Sequence, residues 1–238
     1  MSDGAIDFRA ISKSYRKQLV FNDLSLGVAA GESVGIVGVN GAGKTTLIKC
    51  LLDLCDVDSG EIKIFGVSHR ERRARARLAF LPERFTPPYY LRGRDFLSYM
   101  ASLHGVIPGD RERRDILAAL DLDPTALDKS VGALSKGMGQ KLGLAATLLS
   151  NKELLVLDEP MSGLDPKARA LFKQELQARR ERGQSLFFST HLLSDVEVLC
   201  DRIAILHDGE LVFIGSPAQC RGTYAVDDLE KAYLRCVG

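Results

Sequence analysis

Apolar positions along the chain come in short blocks whose spacing changes from one stretch to the next. Ile6, Phe8 and Ile11 hint at a strand and Leu24–Ala29 at another, with Gly31-Glu32 as a turn. Ser33–Val37 is a short apolar run that ends at Gly38, as a buried strand does. Thr45–Leu54 then reads as a helix, with Leu47, Ile48, Leu51 and Leu52 on one side. Glu61–Phe65 and Leu78–Leu81 are strand-like, the second stopped by Pro82, and Phe85–Tyr90 is a loop around Pro87-Pro88. From Asp95 to Ser150 the period turns helical, through Phe96, Leu97 and Met100, then Ile116, Leu117 and Leu120, then Leu142, Leu144, Ala145 and Leu148. Leu154–Leu157, Leu186–Ser189 and Ile203–Leu206 return to strands, with a charged helix at Lys167–Arg182. Ile203–Ile214 forms a hairpin turning at Asp208-Gly209, and a short helix covers Asp227–Leu234. Alternating strands and helices around a helical block predict an α/β fold, a three-layer core carrying a helical subdomain. No internal repeat and no low-complexity segment interrupts it.

Composition narrows the setting. The chain has 238 residues, enough for one large domain. Hydrophobic residues make up 45% and charged residues 26%, the usage of a soluble globular protein. Lys plus Arg number 32 and Asp plus Glu 31, so no global field favours nucleic acid or an acidic membrane. The five cysteines, Cys50, Cys55, Cys200, Cys220 and Cys236, form no C-x-x-C pair and read as reduced thiols of a cytosolic protein. Met1–Asp7 is short and polar, and no run approaches the ~18–20 apolar residues that span a bilayer. The expectation is a chain that reaches a membrane only through another, spanning chain.

The chemistry concentrates at three strand ends. Gly38-Val39-Asn40-Gly41-Ala42-Gly43-Lys44-Thr45 fits the phosphate-loop pattern G-x-x-x-x-G-K-[ST] at every fixed position, and Thr46 follows it. The context also fits, with a strand before and a helix after. Glycines let backbone N–H groups turn inward toward phosphate oxygens, and the helix N-terminus adds partial positive charge. Lys44 would hold the β- and γ-phosphates of ATP, and Thr45 would place its hydroxyl on Mg²⁺. A Gly-rich turn with an incidental Lys is the plain alternative, disfavoured because pattern and setting coincide. Leu154–Leu157 is followed by Asp158-Glu159, two carboxylates at the C-terminal end of a strand. Asp158 would hold the metal and Glu159 would polarise the attacking water. Alone, this pair reads equally well as a charged strand end; beside a phosphate loop it supplies the required metal anchor. His191 follows the strand-like Phe187-Phe188-Ser189-Thr190. It stands open between a helix-start or core residue and a hydrogen-bond donor to a γ-phosphate.

Leu134-Ser135-Lys136-Gly137-Met138 resembles the LSGGQ signature of ATP-binding cassette (ABC) ATPases and opens a helix upstream of Leu154–Glu159. Other elements of that family follow in order. Tyr15 matches the aromatic that stacks on adenine, Glu83 sits where the Q-loop glutamine usually sits, Ser162-Gly163-Leu164-Asp165 matches the D-loop, and His191 matches the switch histidine. The resemblance covers roughly residues 5–215. It implies a P-loop NTPase (RecA-like) core with an N-terminal antiparallel β subdomain and an inserted α-helical subdomain. On this reading the whole chain is one ABC domain, its core at about 1–83 and 153–215, its helical subdomain at about 84–152 and a short helical tail at about 216–238. It also implies a head-to-tail dimer. ATP would lie between one subunit's loop and the other's Ser135, Lys136, Gly137, Met138 and Asp165, with Glu83 assisting Mg²⁺ or water. Three departures stand out: Lys136 for Gly, Met138 for Gln and Glu83 for Gln. They resemble those of ABC-2-type exporter ATPases.

The resemblance therefore implies an ATPase subunit, most naturally a homodimer, that drives an integral membrane permease from the cytoplasmic face, with a lean to export. The absence of room for a regulatory domain after the tail points the same way. The competing class is a soluble ABC ATPase acting on nucleic acid or ribosomes, which usually carries two cassettes, long coiled coils or zinc-binding inserts. A non-hydrolysing regulatory cassette and a P-loop kinase are further alternatives, and the kinase leaves Leu134–Met138 unexplained. Arg70, Arg72, Arg73, Arg75 and Arg77 read as a solvated helix face rather than a nucleic-acid patch, given the balanced charge. Phe85, Tyr89, Tyr90 and Tyr99 stand between lining a groove for the membrane partner and packing inside the helical subdomain, with Tyr99 inclined toward the core.

Overall fold

The computed structural model describes residues 4–16 and 18–238, so the first part of the polar start at Met1–Asp7 lies outside the described residues. Two sheets organise the chain. In the smaller one, β1 (Ile6–Tyr15), β2 (Gln18–Val28), β4 (Ser59–Ile64) and β5 (Val67–Ser68) pair antiparallel in the order β2-β1-β4-β5. In the larger one, β3 (Ser33–Val37), β6 (Leu78–Leu81), β7 (Leu154–Asp158), β8 (Ser185–Thr190), β9 (Arg202–His207) and β10 (Glu210–Gly215) lie in the order β10-β9-β3-β8-β7-β6. All its neighbours are parallel except the β9–β10 hairpin. That hairpin turns at Asp208 and Gly209, both at positive φ (45° and 84°), which matches the twist of paired strands.

The period-two alternation of the central strands creates two cores. Val34, Ile36, Leu154, Val156, Phe187, Ala204 and Leu206 face the antiparallel sheet and α1 (Lys44–Leu51), where they meet Phe8, Phe21, Leu47 and Ile48. Leu155, Leu157, Leu186, Phe188, Ile203 and Ile205 face the opposite way, onto α5 (Lys136–Leu149), α6 (Pro166–Glu181) and α7 (Leu193–Leu199). A fully apolar run is thus the signature of a strand buried on both sides. The helices α3 (Gly93–His104) and α4 (Asp110–Ala119) complete the middle block, packing on α5 through Phe96, Leu97, Ile116 and Leu117.

Several element bounds differ from expectation. The helix expected over Thr45–Leu54 runs Lys44–Leu51 and ends where Asp53 takes a left-handed φ of 58° and reverses the chain. The strand expected at Leu24–Ala29 is the end of an eleven-residue strand, whose largely exposed first half reflects its place at the sheet edge. The tail holds two helices, α8 (Pro217–Thr223) and α9 (Leu229–Val237). Ser216 and Gln219 form a reciprocal capping box at the start of α8, with Pro217 inside it.

The short helix α2 (Arg72–Arg75) holds only part of the basic cluster. Arg70 lies 3.5 Å from Asp56, Arg73 2.7 Å from Glu71 and Arg75 2.9 Å from Asp53, and Arg77 is paired with Glu153. Four of the five arginines are thus locally neutralised, which leaves no free basic stripe. Of the aromatics, Phe85 belongs to the interior, edge-on to Phe96 at 5.6 Å, while Tyr89 and Tyr90 are exposed. Tyr99, inclined toward the core from sequence, is instead half exposed on α3, because the buried face of that helix is taken by Phe96, Leu97 and Ala101.

Candidate active site

The loop from Gly38 to Gly43 leaves the C-terminal end of β3 and enters α1. Gly38 approaches β9 so closely that a Cβ there would lie 2.5 Å from the Leu206 carbonyl oxygen. Gly43 caps α1 at φ 106°, a conformation side chains resist, and opens the first turn of N–H groups. Lys44 is buried, and its Nζ donates to the Gly38 carbonyl at 2.7 Å and the Val39 carbonyl at 3.3 Å. The lysine thereby folds back over its own loop and holds the cradle's shape.

Asp158 and Glu159 leave the end of β7, the neighbour of β8. Ser189 on β8 joins them. Its hydroxyl donates to Asp158 Oδ1 at 2.5 Å and accepts from the Glu159 N–H at 2.9 Å. Glu159 sits at a left-handed φ of 47°, an uncommon backbone for a non-glycine residue and a frequent one at functional sites. Its Oε2 is 2.9 Å from His191 Nδ1 and its Oε1 is 3.4 Å from Lys44 Nζ. That Oε1 is buried without a hydrogen-bond partner. Lys44, Glu159 and His191, far apart in the chain, are thus one connected array. Ser189 was not singled out from sequence; the available signal was a polar residue ending an apolar strand beside the Leu154–Asp158 run.

These groups open onto a cavity of about 620 Å³ lined by Tyr15, Asn40, Gly41, Gly43, Lys44, Thr45, Thr46, Glu83, Glu159 and His191, together with Gln18, Val20 and Ser162. Gly38, Val39 and Ala42 belong to the loop without lining the cavity, and Asp158, nearly fully buried, does not line it either. A larger cavity of about 720 Å³ lies elsewhere, with Glu153, Glu175 and Arg179 in its wall. Arg179 there is already paired with Glu175 at 2.6 Å. Tyr15, at the end of β1, stands half exposed at the rim, with Lys13 Nζ 5.1 Å from its ring centre.

Ser135, Lys136, Gly137, Met138 and Asp165 are not brought to this cavity within one chain. Ser135 caps α5, its Oγ accepting from the Met138 N–H at 3.2 Å, and leaves that helix N-terminus presented at the surface. Gly137 packs beside the D-loop, where an added Cβ would lie 3.1 Å from the Gly163 carbonyl oxygen. Asp165 caps α6 by accepting from the Ala168 N–H at 2.9 Å and pairs with Lys141 at 2.9 Å. Those two contacts, the backbone bond first, hold its carboxyl down at about 2.

The family model described as "ABC transporter" matches residues 21–162. An uncharacterized ABC transporter ATP-binding protein of Synechocystis sp. is 41% identical over 89% of this chain, which spans 63% of that relative's length. The Nod factor export ATP-binding protein I of Burkholderia lata is 38% identical over 89% of this chain and 71% of its own. Among solved structures, an ATP-binding subunit of an ABC transporter superposes with a TM-score of 0.90 at 29% identity, covering 98% of this chain and 99% of its own. A dimeric post-hydrolysis ATP-binding cassette holding ADP and Pi shares the fold at a TM-score of 0.79 and 21% identity, over 89% of this chain and 98% of its own.

Proposed function

The chain belongs to the ABC transporter ATP-binding family, and from that premise we propose that it binds ATP with Mg²⁺, hydrolyses it, and powers an integral membrane permease, in the export direction. The observation that carries hydrolysis is the array Lys44–Glu159–His191 beside the phosphate loop. Lys44 Nζ is placed to exchange its contact with Glu159 Oε1 for the negative phosphates of an incoming nucleotide. That exchange leaves Oε1, which has no hydrogen-bond partner, as the acceptor for a proton of the attacking water. His191, on the other carboxylate oxygen, fixes the direction of Glu159 and reaches the γ-phosphate side of the cavity. Thr45 and Glu83 in the cavity lining, with Asp158 at the end of β7, would supply oxygen donors to Mg²⁺, which binds through one or two carboxylates plus substrate phosphates. When bound, the metal neutralises charge on the phosphates.

Tyr15 supplies the adenine platform at the rim. The signature residues, absent from their own chain's cavity, act on the nucleotide of a second copy, giving a head-to-tail homodimer. The permease, the direction of transport and the peripheral place at the cytoplasmic membrane face follow the export relatives; among the described residues no helix is long and apolar enough to cross a membrane. We also keep the division into a core at 1–83 and 153–215, a helical subdomain at 84–152 and a tail at 216–238. The decisive test of the chemistry is Glu159→Gln. ATP turnover should fall by about 10²–10⁴-fold, the contribution of a general base, while binding of a fluorescent ATP analogue persists. Unchanged turnover would remove Glu159 from the mechanism.

A further inference from the structure

Cys50 and Cys55 take no part in the chemistry above, yet their Sγ atoms lie 3.4 Å apart. Cys50 is fully buried near the end of α1, and Cys55 is partly exposed in the turn that follows. The left-handed residue Asp53 and the Leu54 N–H bond to the Lys49 carbonyl, at 2.9 Å, fold that turn back and bring the thiols together. The segment carrying Cys55 is also stitched to β1. The Asp58 N–H donates to the Ser12 carbonyl at 2.8 Å, and Asp58 Oδ2 accepts from the Ser14 N–H at 2.6 Å. Lys13 Nζ, 3.6 Å from Asp58 Oδ1, also lies over the Tyr15 ring. These ties set the Cys55 turn against the strand end that carries Tyr15, and the Cys55 thiol is the first cause of the raised pKa of the Tyr15 phenol. One thiol is therefore anchored to the helix that carries Thr45 and Thr46, and the other to the strand end that carries Tyr15.

We propose that Cys50 and Cys55 are a reversible disulfide site, oxidised by low-molecular-weight disulfides, whose closure displaces Tyr15 and weakens nucleotide binding. The Cys55 thiolate attacks one sulfur of the small disulfide, forming a mixed disulfide and releasing one small thiolate. Cys50 then loses its proton and attacks the Cys55 sulfur, forming the internal bond and releasing the second small thiolate. Two protein thiols are oxidised, one small disulfide is reduced to two thiols, and the two protein protons end on those thiols. Burial pushes the Cys50 thiol up, which makes partly exposed Cys55 the attacking sulfur and Cys50 the resolving one. Closing the bond draws the sulfurs from 3.4 Å to about 2.05 Å. Cys50 is held within α1, so the movement falls on the Cys55 turn and on the strand end tied to it.

The proposal's effect on binding rests on the nucleotide reading given above; the thiol chemistry does not. Trypsin releases residues 50–63 as one peptide containing both cysteines. After treatment with oxidised glutathione and alkylation of free thiols, mass spectrometry should find this peptide unalkylated and lighter by two hydrogen atoms, and dithiothreitol should reverse the change. The oxidised protein should bind a fluorescent ATP analogue roughly tenfold more weakly, about the worth of one base-stacking contact. Cys55→Ser should bind it equally under both conditions, and Cys50→Ala should stop at the mixed disulfide, its peptide carrying one glutathionyl group on Cys55. A peptide that stays reduced, or joins a different cysteine, overturns the site. An oxidised peptide with unchanged affinity overturns the coupling to Tyr15. A reduced protein that binds no ATP analogue overturns the nucleotide reading and the coupling with it, while the peptide mass still decides the thiol chemistry.

Discussion

Ser189 shows how much one small polar side chain decides. Its hydroxyl serves both Asp158 and the backbone of Glu159, and all three groups are buried. Ser189→Ala leaves a buried carboxylate oxygen and a buried N–H without their partner, at a cost of about 1–3 kcal/mol per unsatisfied group. The expected outcome is a lowered melting temperature together with an ATP turnover reduced by at least about tenfold, since each 1.4 kcal/mol in positioning is worth that factor. A variant that lost stability but kept full turnover would reduce Ser189 to a packing role. The neighbouring departures are written in charge. Glu83 adds a carboxylate to the cavity lining, and Lys136 adds a cation to the exposed start of α5.

At the scale of elements, the caps do as much as the motifs. The Asp165 carboxylate, an expected ligand in trans, is engaged within its own chain by the N-terminus of α6 and by Lys141 of α5. Its carboxyl is depressed from 3.8 to about 2, so its contribution to stability is present above pH 3.8 and is lost as pH falls through about 2. Asp165→Asn keeps a capping oxygen but removes the charge. In acid titrations followed by circular dichroism, the wild-type advantage over Asp165→Asn should shrink between pH 3.8 and 2 and be constant above it. A difference that grew on acidification would contradict the sign. The strands were legible because burial on both faces demands apolar runs, as in Leu154–Leu157. The exposed first half of β2 and the short helix α7 were not, since an exposed edge and a seven-residue helix leave no strong period.

For the whole molecule, the central question is where the second half of the site comes from. The cavity at Lys44 lacks Ser135, whose helix N-terminus faces outward. If a second copy supplies it, Glu159→Gln protein should shift to a dimer in size-exclusion chromatography when ATP-Mg²⁺ is added. Ser135→Arg in the same background should remain monomeric while still binding nucleotide. A double variant that dimerised normally would place the interface elsewhere. Co-purification of a membrane protein after mild detergent extraction tests the permease partner, and strong stimulation of turnover by DNA or ribosomes would instead favour the soluble class.

The sequence by itself determined the phosphate loop, the carboxylates that end a buried strand, and the alternation that makes a layered α/β fold. Each of these is local. A turn needs glycines at fixed offsets, and a strand buried on both faces needs a continuous apolar run. Only the tertiary structure decided which distant side chains meet. His191 stood open between a packed residue and a site residue until the adjacency of β7 and β8 set its Nδ1 against Glu159. The same adjacency drew in Ser189, and the turn after α1 brought Cys50 to Cys55. Strand order and chain reversal set these distances, and neither has a local period from which it can be read.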